Sequence, residues 1–169
     1  MDEMTLTSER LTLTPLGPDD AEEMAGVLAD ERLYEFTGGR PEAAEVLRAR
    51  YGTLAAGSVR EDETWLNWVV RLTSDDSAVG TIQATVIEHE GDHTAWVAWV
   101  IGVPWQGRGF ATVAARLLVT WLVNQGVTEV LAAVHPNHAA STTVASRIGL
   151  EPTDQVVDGE RVWRSVPSP

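Results

Sequence analysis

Between an apolar stretch that ends at Val103-Pro104 and another that begins at Ala111, the chain reads Gln106-Gly107-Arg108-Gly109-Phe110-Ala111. Two glycines one residue apart, where a strand hands over to a helix, give the backbone a freedom that other residues lack. The first amides of a helix have no partner inside it, and the helix dipole is positive at that end. A ligand that reaches such a turn meets bare N–H groups in a favourable field, so the turn is an anion site. Arg108 adds a permanent charge with a forked donor geometry suited to phosphate oxygens. A diphosphate matches these donors. Most short Gly-x-Gly pairs are only tight turns, and on spacing alone that reading stays open. Two familiar nucleotide loops do not fit. The chain has no lysine with which to end a P-loop, and it lacks the third glycine and strand-first opening of a dinucleotide fingerprint.

At 169 residues, with 44% hydrophobic and 22% charged content, the chain reads as a single domain covering residues 1–169. No apolar run has the length of a membrane span, and the start Met1-Asp2-Glu3-Met4 lacks the pattern of a signal peptide. Without cysteine there is no disulfide, thiolate metal site or cysteine nucleophile, and the four histidines lack metal-ligand spacing. The expectation is a soluble, cytoplasmic protein that uses no metal. A formal net charge of −13 argues against a nucleic-acid partner. It favours the approach of amines, although an acidic surface kept for solubility is the simpler reason for it. All twelve basic residues are arginine. An acidic protein that holds an anion must concentrate its positive potential, and the run around Arg108 is where it does so.

The expected elements follow from periodicity and punctuation. Thr5 to Leu16 alternates as an opening strand, and Pro18-Asp19-Asp20 starts a helix with acidic residues in its first turn. Gly38-Gly39 breaks the chain, and a second helix runs from Pro41 to Gly57. Trp65 to Leu72, Ala78 to Glu88 and Thr94 to Val103 are rich in Val, Ile, Thr and Trp and read as three antiparallel strands. Ala111 to Val123 is apolar around most of its circumference, which predicts a central helix packed on several sides. A buried strand at Val127 to Val134, a helix at Ala139 to Gly149 and a hairpin around Asp158-Gly159 complete the order βααβββαβαββ. This predicts an α/β (α+β) fold: a mixed, mostly antiparallel twisted sheet of about seven strands flanked by about four helices.

That order, with a glycine-rich helix opening after the fourth strand, resembles the GNAT superfamily of acetyl-CoA-dependent N-acetyltransferases. Gln106-Gly107-Arg108-Gly109-Phe110-Ala111 matches the family's (Gln/Arg)-x-x-Gly-x-(Gly/Ala) motif. Ser8-Glu9-Arg10-Leu11-Thr12-Leu13 is similar to the opening strand of the branch that includes ribosomal-protein N-terminal acetyltransferases. His135-Pro136-Asn137-His138-Ala139-Ala140-Ser141 through Arg147-Ile148-Gly149-Leu150 is similar to that branch's fifth strand and following helix. The resemblance implies direct acetyl transfer from acetyl-CoA to a primary amine, with CoA as product and no metal. The amine would belong to a protein N-terminus, an aminoglycoside-like compound or a small polyamine-like molecule. The alternatives are a non-catalytic acyl-CoA-binding module and a transferase of a larger acyl group. The resemblance also implies a homodimer, which the apolar strand around Trp96 to Val100 would permit.

It further implies site residues. Gln106, Gly107, Arg108, Gly109, Phe110, Ala111 and Thr112 would surround the cofactor's pyrophosphate. The backbone of Ile101, Gly102 and Val103 would pair with the pantetheine arm as if it were a strand, helped by a bulge at Gly102 and the missing amide of Pro104. His138 stands where the branch has an asparagine that contacts this arm. The glutamate that often serves as base is replaced by Trp96, and the tyrosine that often serves as acid by Ala145. The remaining catalytic candidates are Ser141, His138 and His135, each with a structural alternative as a cap or turn residue. Glu88, His89, Glu90 and His93 read as hairpin surface. The acceptor would lie near Glu35 and Phe36, close to the last hairpin.

Overall fold

Residues 1–166 are described by a computed structural model in which one sheet of eight strands carries helices on both faces. The strands are β1 (Leu6–Thr7), β2 (Leu11–Pro15), β3 (Glu63–Leu72), β4 (Ala78–His89), β5 (Asp92–Ile101), β6 (Val127–Val134), β7 (Leu150–Val157) and β8 (Glu160–Ser165), ordered β1-β2-β3-β4-β5-β6-β8-β7. The helices are α1 (Ala21–Val27), α2 (Ala44–Ala56), α3 (Phe110–Asn124) and α4 (Ala139–Arg147). The expected single opening strand is two. At Ser8 the chain turns: its N–H donates to the Leu11 carbonyl and its Oγ accepts from the Leu11 amide, folding β1 back on β2. The other expected elements are present, with ends moved by one to three residues.

The two faces of the sheet bury different clusters. Leu11, Leu13, Leu66, Trp68, Ile82, Ala84, Ala95 and Val97 pack beneath α3, whose Ala114, Ala115, Leu118 and Leu122 are buried. As its composition predicts, α3 touches β2, β5, β6 and α4. On the opposite face Leu16, Val69 and Ala78 meet Met24 and Val27 of α1 and Leu47 and Tyr51 of α2. Arg71 fixes that second layer. From β3 it donates to Asp20 and Glu23 at the start of α1, both at 2.9 Å, while Glu23 also accepts the Ala78 amide.

The sheet divides at its centre. β5 and β6 run parallel from His93↔Val127 to Trp96↔Leu131, where their pairing stops. Above that point β5 continues against β4 alone, to Gly80↔Ile101, while β6 pairs with β8 from Leu131↔Arg164 to Val134↔Arg161. A wedge therefore opens between Val97–Ile101 and Ala132–Val134. α3 starts beyond the end of one wall and α4 beyond the end of the other, so both helix N-termini lie at the mouth of the wedge.

Candidate active site

Gly107 and Gly109 have φ of 74° and 80°, in the left-handed region where a Cβ is strained. This conformation ends the Val103–Trp105 turn and starts α3 without a side-chain cap. The first helical bond of α3 runs from Val113 to the Gly109 carbonyl at 3.1 Å. The amides of residues 107 to 112 consequently have no acceptor among the described residues. Six consecutive open N–H groups at a helix start make a cradle of the kind that can receive an anion. Gln106 does not join it: its Nε2 donates to the Ile101 carbonyl at 2.9 Å and ties the loop to β5. Arg108 is exposed and donates weakly to the Pro104 carbonyl at 3.4 Å, leaving most of its donors free.

A second cation reaches the cradle from the start of the chain. Arg10 donates to the Arg108 carbonyl at 2.8 Å, and its guanidinium lies 4.7 Å from the centre of the Phe110 ring. In the sequence Arg10 is simply one member of the opening-strand motif Ser8-Glu9-Arg10-Leu11-Thr12-Leu13. Nothing local signals a contact that spans 98 residues.

The wedge wall differs from expectation at Gly102. The β4–β5 register runs without a shift to Gly80↔Ile101, where β5 ends, so no bulge precedes Gly102. Glycine is required for space instead: a Cβ would stand 2.8 Å from the Trp105 ring and 2.9 Å from the Val27 carbonyl. The Gly102 amide donates to Val79, and the carbonyls of Ile101, Gly102 and Val103 accept from Gln106, Trp105 and Gln106 respectively. Most polar groups of 101–103 are thus already paired. Because successive groups on a strand alternate in direction, the N–H of Trp99 and of Ile101 face the wedge.

The other wall carries the histidines. His138 is the N-cap of α4, with Nδ1 accepting the Ser141 amide at 3.2 Å, while Nε2 lies 3.3 Å from Ser141 Oγ. The expected choice between Ser141 and His138 as cap falls to the imidazole. An accepting Nδ1 carries no proton, so the neutral ring holds it on Nε2 and donates it to Oγ. The serine O–H is then free to donate elsewhere. His135 Nδ1 accepts the Asn137 amide at 3.1 Å, a turn contact. Phe36 joins these histidines, its ring centre 4.6 Å from His138 and 5.2 Å from His135. Glu35 is exposed, and its charge and that of Glu160 reach His138. Glu160, at the start of β8, was not singled out in the sequence. His93 and Glu88 pair across the β4–β5 hairpin, away from the wedge.

Burial holds the His138 pKa below its ordinary value, helped by His135 and opposed by its own backbone bond and the two glutamates. The unfolded chain therefore binds this proton more readily than the folded one, and the resulting stability is full above the unfolded pKa and lost as pH falls through the folded value. Protonation of Nδ1 would also end the cap. His138→Asn retains a capping side chain that does not titrate. Between pH 7 and 5 the melting temperature of wild type should fall more than that of His138→Asn; parallel curves would refute this role.

Residues 10–151 match the family described as acetyltransferase (GNAT) domain. The GNAT-family acetyltransferase from Bacillus anthracis aligns with a TM-score of 0.77 at 18% identity, over 95% of this chain and 97% of that one. The ribosomal-protein-S5-alanine acetyltransferase from Vibrio fischeri gives 0.78 at 17% identity, over 98% and 97%. The ribosomal L7/L12 alpha-N-protein acetyltransferase RimL, in complex with coenzyme A, gives 0.80 at 14% identity, over 97% and 98%. At these identities the likeness is one of fold. No curated protein matches the sequence.

Proposed function

The chain belongs to the GNAT acetyltransferase family and is an acyltransferase, and from that premise we propose that it transfers an acetyl group from acetyl-CoA directly to a primary amine. The observation that carries this reading is the row of unpartnered amides from Gly107 to Thr112 beside Arg10 and Arg108, at the mouth of a wedge in the sheet. The cradle has the donor number and charge to hold a pyrophosphate. The N–H groups of Trp99 and Ile101 extend it along β5, where an arm of alternating amides pairs as a strand does. Acetyl-CoA supplies the acyl group already activated as a thioester. Ile101 N–H is the donor we assign to polarise the carbonyl.

On the opposite wall Ser141 offers its hydroxyl proton, with Oγ held by His138 Nε2–H. That hydroxyl is the group available to protonate the departing sulfur. Ser141→Ala should lower kcat roughly 10- to 100-fold and leave coenzyme A affinity unchanged, because none of the cradle donors is touched. Equal kcat in the two proteins would remove Ser141 from the reaction. Glu35, Glu160 and the net charge of −13 favour an amine on the acceptor side. The names of the two ribosomal-protein neighbours support a protein N-terminus as that amine.

Trp96 and Ala145, in place of the usual glutamate and tyrosine, favour a second reading as a non-catalytic acyl-CoA-binding module. Steady-state release of free CoA with a panel of primary amines and N-terminal peptides separates the two. Turnover establishes the enzyme, whereas binding without turnover establishes the module.

A further inference from the structure

The turn that forms the cradle has a freedom that its glycines do not remove. In a planar trans peptide the C=O of one residue and the N–H of the next point in opposite directions. The orientation of the Arg108 carbonyl therefore sets that of the Gly109 N–H. Glycine takes positive and negative φ with similar ease. Turning the 108–109 peptide over would carry Gly109 from its φ of 80° to an accessible negative value. The helix bond from Val113 to the Gly109 carbonyl would survive, because it belongs to the next peptide. Such a flip would withdraw one N–H from the row and aim a carbonyl oxygen at the bound anion instead.

One side chain opposes it. Arg10 Nη2 donates to the Arg108 carbonyl at 2.8 Å, and its guanidinium lies 4.7 Å from the centre of the Phe110 ring. It grips the residues on both sides of Gly109. The grip has a firm base at each end. The Arg10 carbonyl accepts the Thr73 amide at 3.0 Å, and Leu11, the next residue, is fully buried. Phe110 is buried in the core beneath α3.

We propose that Arg10 is a positioning residue, which holds the 108–109 peptide in the orientation that receives the pyrophosphate. The cradle is then built before the cofactor arrives. The inference rests on the acetyl-CoA reading and goes further, to what keeps that site in its binding form. Arg10 acts on the cofactor through the Gly109 N–H. Without it both peptide orientations are populated, and the apparent affinity falls with the fraction that is competent.

Arg10→Met keeps an apolar side chain over Phe110 and removes the donor. A hydrogen bond from a charged group, weakened here because Arg10 is exposed, corresponds to about tenfold in affinity. Stopped-flow binding of coenzyme A is measured at high ionic strength, where charge steering is screened. The variant should associate about tenfold more slowly and dissociate at the wild-type rate. Its KM for acetyl-CoA should rise by a similar factor at unchanged kcat. In nitrogen-15 NMR spectra of the ligand-free variant the Gly109 amide should be broadened or doubled by exchange, and saturating coenzyme A should restore the single line of wild type. Faster dissociation at an unchanged association rate would make Arg10 a direct phosphate contact and overturn the proposal. A single sharp Gly109 line in the free variant, or wild-type affinity, would overturn it as well. Loss of cooperative melting in Arg10→Met would do the same, by showing that the contact holds the fold and not the turn. Failure of wild type to bind coenzyme A would instead contradict the reading on which the proposal rests.

Discussion

Gly109→Val is expected to weaken coenzyme A binding at least 100-fold while the protein stays folded. Gly109 has φ of 80°, which a β-branched residue adopts only with strain of about 1–2 kcal/mol or more. The chain would relieve that strain by rebuilding the entry to α3, and the amides of residues 107 to 112 would no longer converge. A Cβ on Gly109 would stand in ordinary contact with the Arg10 guanidinium, at 3.7 Å, so the effect comes from the backbone and not from crowding of that cation. Hydrogen bonds to a charged group contribute about 1.5–3 kcal/mol each, so losing two exceeds a hundredfold. Arg108→Ala leaves the amide row intact and should weaken binding only about tenfold. Equilibrium dialysis against coenzyme A measures both. Wild-type affinity in a folded Gly109→Val protein would show that the row of amides is not the phosphate site.

The largest expected change in stability comes from Arg71→Leu. The Arg71 side chain is 12% exposed and bonds Asp20, Glu23, Thr14 and the Asp76 carbonyl, tying β2, β3 and the turn before β4 to α1. Leucine would leave two carboxylates without their cation. Breaking a buried pair costs about 3–5 kcal/mol, and about 2–3 is expected here because the Glu23 side chain is 44% exposed. For a chain of this length that lowers the melting temperature by about 4–12 °C. The effect depends on pH. Burial raises the Glu23 pKa, but the Ala78 amide and Arg71 outweigh it and hold the carboxyl below its ordinary value. Its stabilisation is present above the unfolded pKa near 4.5 and is lost as pH falls through the lower folded value. The gap between wild type and Arg71→Leu should therefore narrow below about pH 4.5. Arg32→Ala, which breaks the exposed pair with Asp30, should leave the melting temperature unchanged. Equal effects from the two substitutions would contradict this account of how α1 is held.

The parts of the molecule legible in the sequence are those in which one local requirement decides the conformation. Gly107 and Gly109 announce a positive-φ turn, and the apolar circumference of Ala111 to Val123 announces a helix packed on several sides. The Asp158-Gly159 pair places the last hairpin. The turn at Ser8 was hidden because its signal is one serine hydroxyl bonded to a backbone amide, inside a stretch that still alternates. Gly102 stands out in the sequence as a place for a bulge, but its φ is ordinary, and the demand for glycine comes from Trp105 and Val27, which are distant or side-chain contacts.

The site itself is mostly built from contacts between distant residues. Arg10 meets the cradle and Phe36 meets His135 and His138 only after the sheet has formed. His138 and Ser141 are three residues apart, and their hydrogen bonds are what a helix N-terminus imposes on that spacing.

Calorimetric titration of coenzyme A, and separately of 3′-dephospho-coenzyme A and pantetheine, into the purified protein tests the central assignment most directly. The row of amides beside Arg10 and Arg108 predicts stoichiometric binding of both pyrophosphate-bearing molecules and weak or absent binding of pantetheine. Binding of pantetheine as tight as that of coenzyme A, or no heat with any of the three, would contradict it.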